Sequence, residues 1–414
     1  PMPENPAERI YYPVSDNEKM IVFTELDNEQ PTVNFSLYMK RDITPRDQRN
    51  TQEYYADGYK SSLATTILRE RLKKLTDCER PALMNSNVRD GQFYISSTKD
   101  AFSLTCGLIQ DSIKEGITAA VATVEQARQH GFTEAELQRA KAERLKIYET
   151  RFAQRDKTRN SHYVNLCLHN FLENEPILSA EEELSMVKKL NESITLSQMN
   201  ATLREMVTDK NQVVTIFGPA KNGFQLPANE EIEQTILTAQ QKTYAAPSEE
   251  KVPEKLITRL PKKGKIKKES ASTNGYQEYV LSNGMRVYAR NTDFDGDNIT
   301  MNMFSLGGNS LYPDTDMASL NYLAAVVGES GVASFDNATL NKMLAGKTAS
   351  VKPFVNSQTE GMNGKCTKPY LKTMLELTYL YFAQPRFDRQ AFQSLMNRQE
   401  AFLTNREANP NVSY

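Results

Sequence analysis

Histidine is scarce in this chain. Of 414 residues only His130, His162 and His169 carry an imidazole. A hydrolytic zinc site mounted on a helix needs two histidines about one turn apart, so that both rings face one ion, together with a carboxylate. No pair here has that spacing. His162 and His169 flank Cys167 on one predicted helix and read as surface or hydrogen-bonded side chains rather than a metal pair. Gly346-Lys347-Thr348 has the tail of a phosphate-binding loop. The upstream glycine such a loop requires falls at Asn341, and the segment leads into a strand instead of a helix. Gly307-Gly308-Asn309-Ser310 lacks the glycine spacing of a nucleophile elbow. The run Glu181-Glu182-Glu183 is explained by a solvated first helical turn. Cys78, Cys106, Cys167 and Cys366 lie far apart, form no C-x-x-C and read as buried free thiols. No catalytic, cofactor-binding or metal-ligating residue is therefore assigned.

The elements that would carry such residues fall into two regions. Between 10 and 224, strands are expected at 20–26 and 32–40; in the second, Val33, Phe35, Leu37 and Met39 alternate with polar residues. A helix over 59–75 aligns Leu63, Ile67, Leu68, Leu72 and Leu75 on one stripe. A hairpin is read with strands at 92–97 and 102–108 and a turn at 98–101. Helices follow over 113–129, closed by Gly131, then from Thr133 to about Arg155, and over 161–173. Three capping boxes are visible: Thr133 with Glu136, Ser179 with Glu182, and Thr195 with Gln198. A strand at 212–217 with Gly218-Pro219 ends the region.

Residues 245–274, rich in proline and carrying the basic run 262–268, read as a solvated strap between domains. No aromatics interleave with that run, and Glu249, Glu250 and Glu254 offset it. The whole chain has 50 basic and 52 acidic residues, a net charge of -2, so no nucleic-acid partner is expected. No apolar stretch is long enough for membrane insertion by this segment. From Tyr276 the strand–helix logic resumes: a strand pair around Asn283-Gly284, a strand ending at Leu306, a helix over 318–327, a strand pair at 348–355 and 359–366, a helix over 369–383, and another begun at Phe387. The segments 131–137 and 386–392 echo each other as helix end, aromatic, polar cap and new helix. The fold class expected is α+β, with repeated two-layer domains in which helices pack on one face of an antiparallel sheet. Domains are drawn at 1–240 and 275–414, the latter incomplete, with a linker at 241–274.

The order Leu281-Ser282-Asn283-Gly284-Met285-Arg286-Val287, then Gly308-Asn309-Ser310, then a helix resembles the opening of a half-molecule in the pitrilysin/insulinase family of zinc metallopeptidases. Gly131-Phe132-Thr133-Glu134-Ala135-Glu136-Leu137 and the closing 213–219 resemble elements of the second domain of that family's active half. The resemblance implies two related halves closing around a peptide, with H-x-x-E-H on a helix of the first domain holding zinc. Here 318–327 has neither histidine nor glutamate, as in the family's silent second half. The resemblance thus implies the non-catalytic middle of a zinc-dependent endopeptidase, forming chamber wall and hinge. Zinc is then expected in the parent protein and none in this segment. The partners implied are peptide substrates and a missing catalytic domain, with a homodimer or partner-subunit role as a further implication. The alternative is an inactive member serving as a structural or partner subunit. The style of resemblance points to a bacterial periplasm or cell envelope, and the helix at 318–327 is expected to pack a core.

Overall fold

Alternation of apolar and polar residues builds the larger of two cores. In β2 (Val33–Asp42) Val33, Phe35, Leu37 and Met39 are buried, and in β4 (Lys99–Leu108) so are Phe102, Leu104, Cys106 and Leu108. The register sets Phe35 opposite Cys106 and Leu37 opposite Leu104, which merges the two stripes into one apolar face. The computed structural model describes residues 10–76, 81–221, 223–248 and 251–404. Cys78, Arg9 and the last ten residues lie outside the described residues.

This sheet runs β1-β5-β2-β4-β3, with β1 (Ile21–Asp27), β3 (Leu83–Gln92) and β5 (Gln212–Pro219). Its neighbours are antiparallel except β1, which pairs parallel with β5. Helix α1 (Gln52–Thr76) places Leu63, Ile67, Leu68 and Leu72 in the core, each worth about 1.5–3 kcal/mol of burial. It lies against β3, α2 (Ile113–His130), α3 (Glu134–Ala153) and α6 (Leu196–Met206). Between α3 and α6 come α4 (Asn160–Glu173) and α5 (Ala180–Ser193); α7 (Asn229–Gln241) packs on α2 and β1. All three capping boxes form, at the starts of α3, α5 and α6.

The second region has two three-stranded antiparallel sheets. One is β6 (Ile266–Ala271), β7 (Gln277–Leu281) and β8 (Arg286–Ala289), the last two joined by the Asn283-Gly284 turn. In the other, β11 (Thr359–Thr367) lies between β9 (Asn298–Leu306) and β10 (Ser350–Val355). Helices α8 (Met317–Ser330), α9 (Asn337–Leu344), α10 (Leu371–Ala383) and α11 (Arg389–Thr404) complete it. Leu340, Val351, Met362, Cys366, Met374 and Leu377 form its core. The expected α+β class holds, with helices on the core face of the sheets. The echo of 131–137 in 386–392 holds locally: Phe132 precedes the Thr133 cap of α3. Phe387 precedes Asp388, whose Oδ1 accepts from Gln390 N and Ala391 N at the start of α11.

Several expectations are corrected. The strand read at 92–97 is a loop, with Tyr94 at φ 50° and Ile95 fully in solvent. The true partner of β4 is β3, an edge strand whose polar Asn85, Ser86, Asn87 and Arg89 disguise it. Helix α1 begins seven residues earlier than read, because Thr51 Oγ1 accepts from Tyr54 N and caps it. The 245–274 strap is not solvated throughout. It contains β6, and Leu256 is buried in the second core. Helices α7 and α9 went unread, although Ile232, Ile236 and Ala239 show helical spacing and Asp336 Oδ1 caps α9 through Thr339 N. The helix read at 318–327 does not fill a core: within α8 only Val326 and Ser330 are buried. Cys106 and Cys366 are buried as expected, but Cys167 is exposed on α4.

Candidate functional site

The imidazoles are kept apart. His130 ends α2, its Nε2 lying 2.6 Å from Tyr244 O. His162 and His169 sit on α4, a helix with no buried residue; His162 contacts the Tyr163 ring edge-on and His169 Nδ1 lies 3.4 Å from Glu175 Oε2. Among the described residues no three His, Cys, Asp or Glu side chains gather closely enough to hold a metal. The donors among the described residues do not fit a zinc site. Ser310 Oγ donates to Gly307 O, and Glu182 is consumed by the Ser179 capping box. Gly346-Lys347-Thr348 forms the turn from α9 into β10, with Lys347 N donating to Leu344 O.

That turn lines a broad cleft. Helices α1 and α3 face α8, α9, β10 and α10 across a cleft of about 910 Å³. The regions also touch directly, where Ser394 Oγ of α11 donates to Thr76 O, buried, at 2.7 Å. Gly346 has φ +75°, and a Cβ there would stand 2.8 Å from Ala142 Cβ of α3. The glycine therefore lets the α9–β10 turn pass close beside the opposite wall.

Eight basic side chains line the cleft against three acidic ones, Glu70, Glu143 and Glu329. On α1, Arg69 and Lys73 stand one turn apart on the same side. On α3, Arg139, Glu143 and Lys146 follow the same spacing. Across from them stand Lys347 and Lys352; alternation in β10 buries Val351 and turns Ser350 and Lys352 outward. Glu70 is engaged by Arg139 Nη2 at 3.0 Å. Arg69 donates from Nε to Asn87 Oδ1 and forms no ion pair among the described residues, nor do Lys73, Lys146, Lys347 and Lys352. Partial burial of its head group, and then the nearby Arg144 charge, hold Arg69 below the usual guanidinium range. Arg139 Nε and Arg144 Nε are buried without a partner among the described residues. Beneath this rim, Leu340, Val351, Leu377 and Tyr381 make an apolar floor. Such a cleft suits anionic groups on an apolar backbone. It has no imidazole or thiol in its lining among the described residues.

No family model matches the chain. A zinc protease PQQL-like protein of Arabidopsis thaliana is 27% identical over 255 residues, 61% of this chain and 26% of that protein. The periplasmic protease PqqL from Escherichia coli shares the fold over 99% of this chain and 45% of its own, with a TM-score of 0.53 and 18% identity. A mutant of the ferredoxin protease FusC, solved in complex with Arabidopsis ferredoxin, matches over 98% of this chain and 44% of its own, with a TM-score of 0.58 and 16% identity. The resemblance to the pitrilysin/insulinase family is thus borne out, in sequence by the PQQL-like relative and in fold by PqqL and by pitrilysin, which matches over 93% of this chain with a TM-score of 0.53 and 13% identity. The chain spans less than half the length of these relatives.

The basic cleft is the feature that the sequence does not reveal. Its charges come from α1, α3, α9 and β10, separated by up to some hundreds of residues, and no motif spacing links them. Only the one-turn repeats, Arg69 to Lys73 and Arg139 to Glu143, are visible in the letters. A net charge near zero for the whole chain hides the local excess.

Proposed function

We propose that this chain is the non-catalytic middle of a zinc-dependent endopeptidase. Residues 1–240 serve as the second domain of the active half and 275–414 as the start of the silent half. The pairing of β6 with β7 favours moving 266–271 from the linker into the latter. The observation that carries the reading is α8: it follows the Gly308-Asn309-Ser310 turn, as the motif helix does in the family, yet Ala318 to Val327 offers no zinc ligand. Zinc and the hydrolytic water then belong to a domain outside this chain, and these residues supply chamber wall and hinge.

Two further features support the reading. Along α4, Val164, Leu168 and Phe171 repeat at helical spacing and are 62%, 48% and 74% exposed. A stripe of that kind suits burial against another domain, here the missing catalytic one. The protease names of the relatives support peptide or protein substrates, and the periplasmic Escherichia coli relative supports a cell-envelope address. No helix among the described residues is long and apolar enough to cross a membrane.

The full-length protein tests this. We expect H-x-x-E-H about one domain length upstream of Pro1 and chelator-sensitive cleavage of a fluorogenic peptide library. An upstream sequence without the motif, and no cleavage, overturns the proposal in favour of an inactive structural or partner subunit.

A further inference from the structure

We propose that the cleft between the two regions is a binding site for acidic peptide segments, selecting substrates by negative charge. The proposal rests on the peptidase reading in making the ligand a peptide. Its charge argument stands on the cleft alone.

Arg69, Lys73 and Lys146 line one wall and Lys347 and Lys352 the other, all without an ion-pair partner among the described residues. Like charges gathered in a concave site repel one another, and low-dielectric walls focus their field into the cleft. An anionic segment relieves this repulsion from both walls at once, which a single surface lysine patch does not do.

The shape then chooses among polyanions. Nucleic-acid single strands bind through exposed aromatic platforms on which bases stack. The only ring lining the cleft among the described residues, Tyr381, is 9% exposed and lies in the floor with Leu340, Val351 and Leu377. Glu143 and Glu329 also face into the cleft. They would repel a continuous phosphate backbone, but they tolerate a peptide whose carboxylates are spaced by apolar residues. The volume of about 910 Å³ accommodates several residues of extended chain.

The test is binding by this chain in chelator, so that it reads the cleft independently of any catalysis elsewhere. The probes are a labelled unstructured peptide of alternating Glu and Leu, its Gln and Leu twin, and a labelled oligothymidine of equal charge. Fluorescence anisotropy at low salt should give at least about tenfold tighter binding of the acidic peptide than of its amide twin, and raising the salt should weaken it. Paired Lys146→Gln and Lys352→Gln, one from each wall, should lose about tenfold. Paired Lys267→Gln and Lys268→Gln on exposed β6 should change binding less than about twofold. Thermal melts of both pairs confirm folding. Equal affinity for the twin, no binding, tighter binding of the oligothymidine, or an unaffected wall variant would each overturn the proposal. Failure of the longer protein to cleave peptides, with selective binding intact, would overturn the peptidase reading and leave the charged site.

Discussion

Arg71 of α1 and Glu136 of α3 form a two-pronged ion pair, Nε to Oε1 at 2.8 Å and Nη2 to Oε2 at 2.7 Å. The guanidinium also donates to Gly131 O at 2.9 Å and lies over the Phe132 ring, 5.5 Å from its centroid. Glu136 simultaneously closes the capping box by accepting from Thr133 N at 2.8 Å. One carboxylate thus ties α1 to the α2–α3 turn and starts α3. It also fixes the α1–α3 wall of the basic cleft.

Removing one member leaves a buried charge without its partner. Arg71→Met should cost about 3–5 kcal/mol in denaturant unfolding, because Glu136 then stays desolvated and unpaired. The double variant Arg71→Met, Glu136→Gln should recover part of that loss. If Arg71→Met melts like the parent, the pair is not holding the wall.

The same pair gives a pH dependence with a definite sign. Burial pushes the Glu136 carboxyl up, but Arg71 and then Thr133 more than reverse this and hold it below its ordinary value of 4.5. Its ionisation therefore contributes stability that is fully present above that value and is lost as pH falls through the lower folded one. Acid titration of unfolding should show Glu136→Gln losing less stability below about pH 4 than the parent. Parallel pH profiles for the two proteins would contradict this.

Much of this architecture is legible in the letters. The Val33–Met39 alternation, the α1 stripe and the Thr133–Glu136 box are local signals, each fixed within a few residues. What escaped reading is set by distant partners. Strand β3 is polar because it is an edge, so only its pairing with β4 identifies it. Helix α8 is apolar yet open, because sequence hydrophobicity does not say whether a partner is present to cover it. The cleft, assembled from six elements, has no one-dimensional signature, whereas the want of histidine pairs is visible at once.

Gly346 sits close beside Ala142 of the opposite wall. Gly346→Ala imposes a left-handed backbone on a residue with a Cβ and drives that Cβ toward Ala142. A stability loss of about 1–3 kcal/mol is expected, with weaker binding of the acidic peptide as the α9–β10 turn shifts. Ala142→Gly in the same chain should relieve the contact but not the backbone strain, giving partial recovery. Full recovery would show that φ at 346 costs nothing.

Thiol chemistry reads the burial of the cysteines. Burial pushes the Cys106 thiol up to about 12 and also raises Cys366, whereas Cys167 is exposed. In a Cys78→Ser background, a thiol-reactive dye should label Cys167 promptly and Cys106 and Cys366 only as the chain unfolds. Rapid labelling of Cys106 in the native chain would mean that the β2–β4 core opens on that timescale.

Metal content gives the last test. A zinc site draws three or four nitrogen, sulfur or oxygen ligands to within about 2.0–2.3 Å of one ion. His162 and His169 are two turns apart on α4, about 10 Å along its axis, so their rings do not converge. His169 with Glu175 supplies at most two donors on an exposed surface, and His130 is engaged with Tyr244 O on another helix. Purified chain dialysed against zinc should therefore carry well under one zinc per molecule by elemental analysis. Chelator should leave its melting temperature within about 1 °C, since no metal-binding energy is coupled to folding. One tightly held zinc per chain, with a melting temperature that falls on chelation, would place a metal centre inside this segment and remove the reason for locating catalysis outside it.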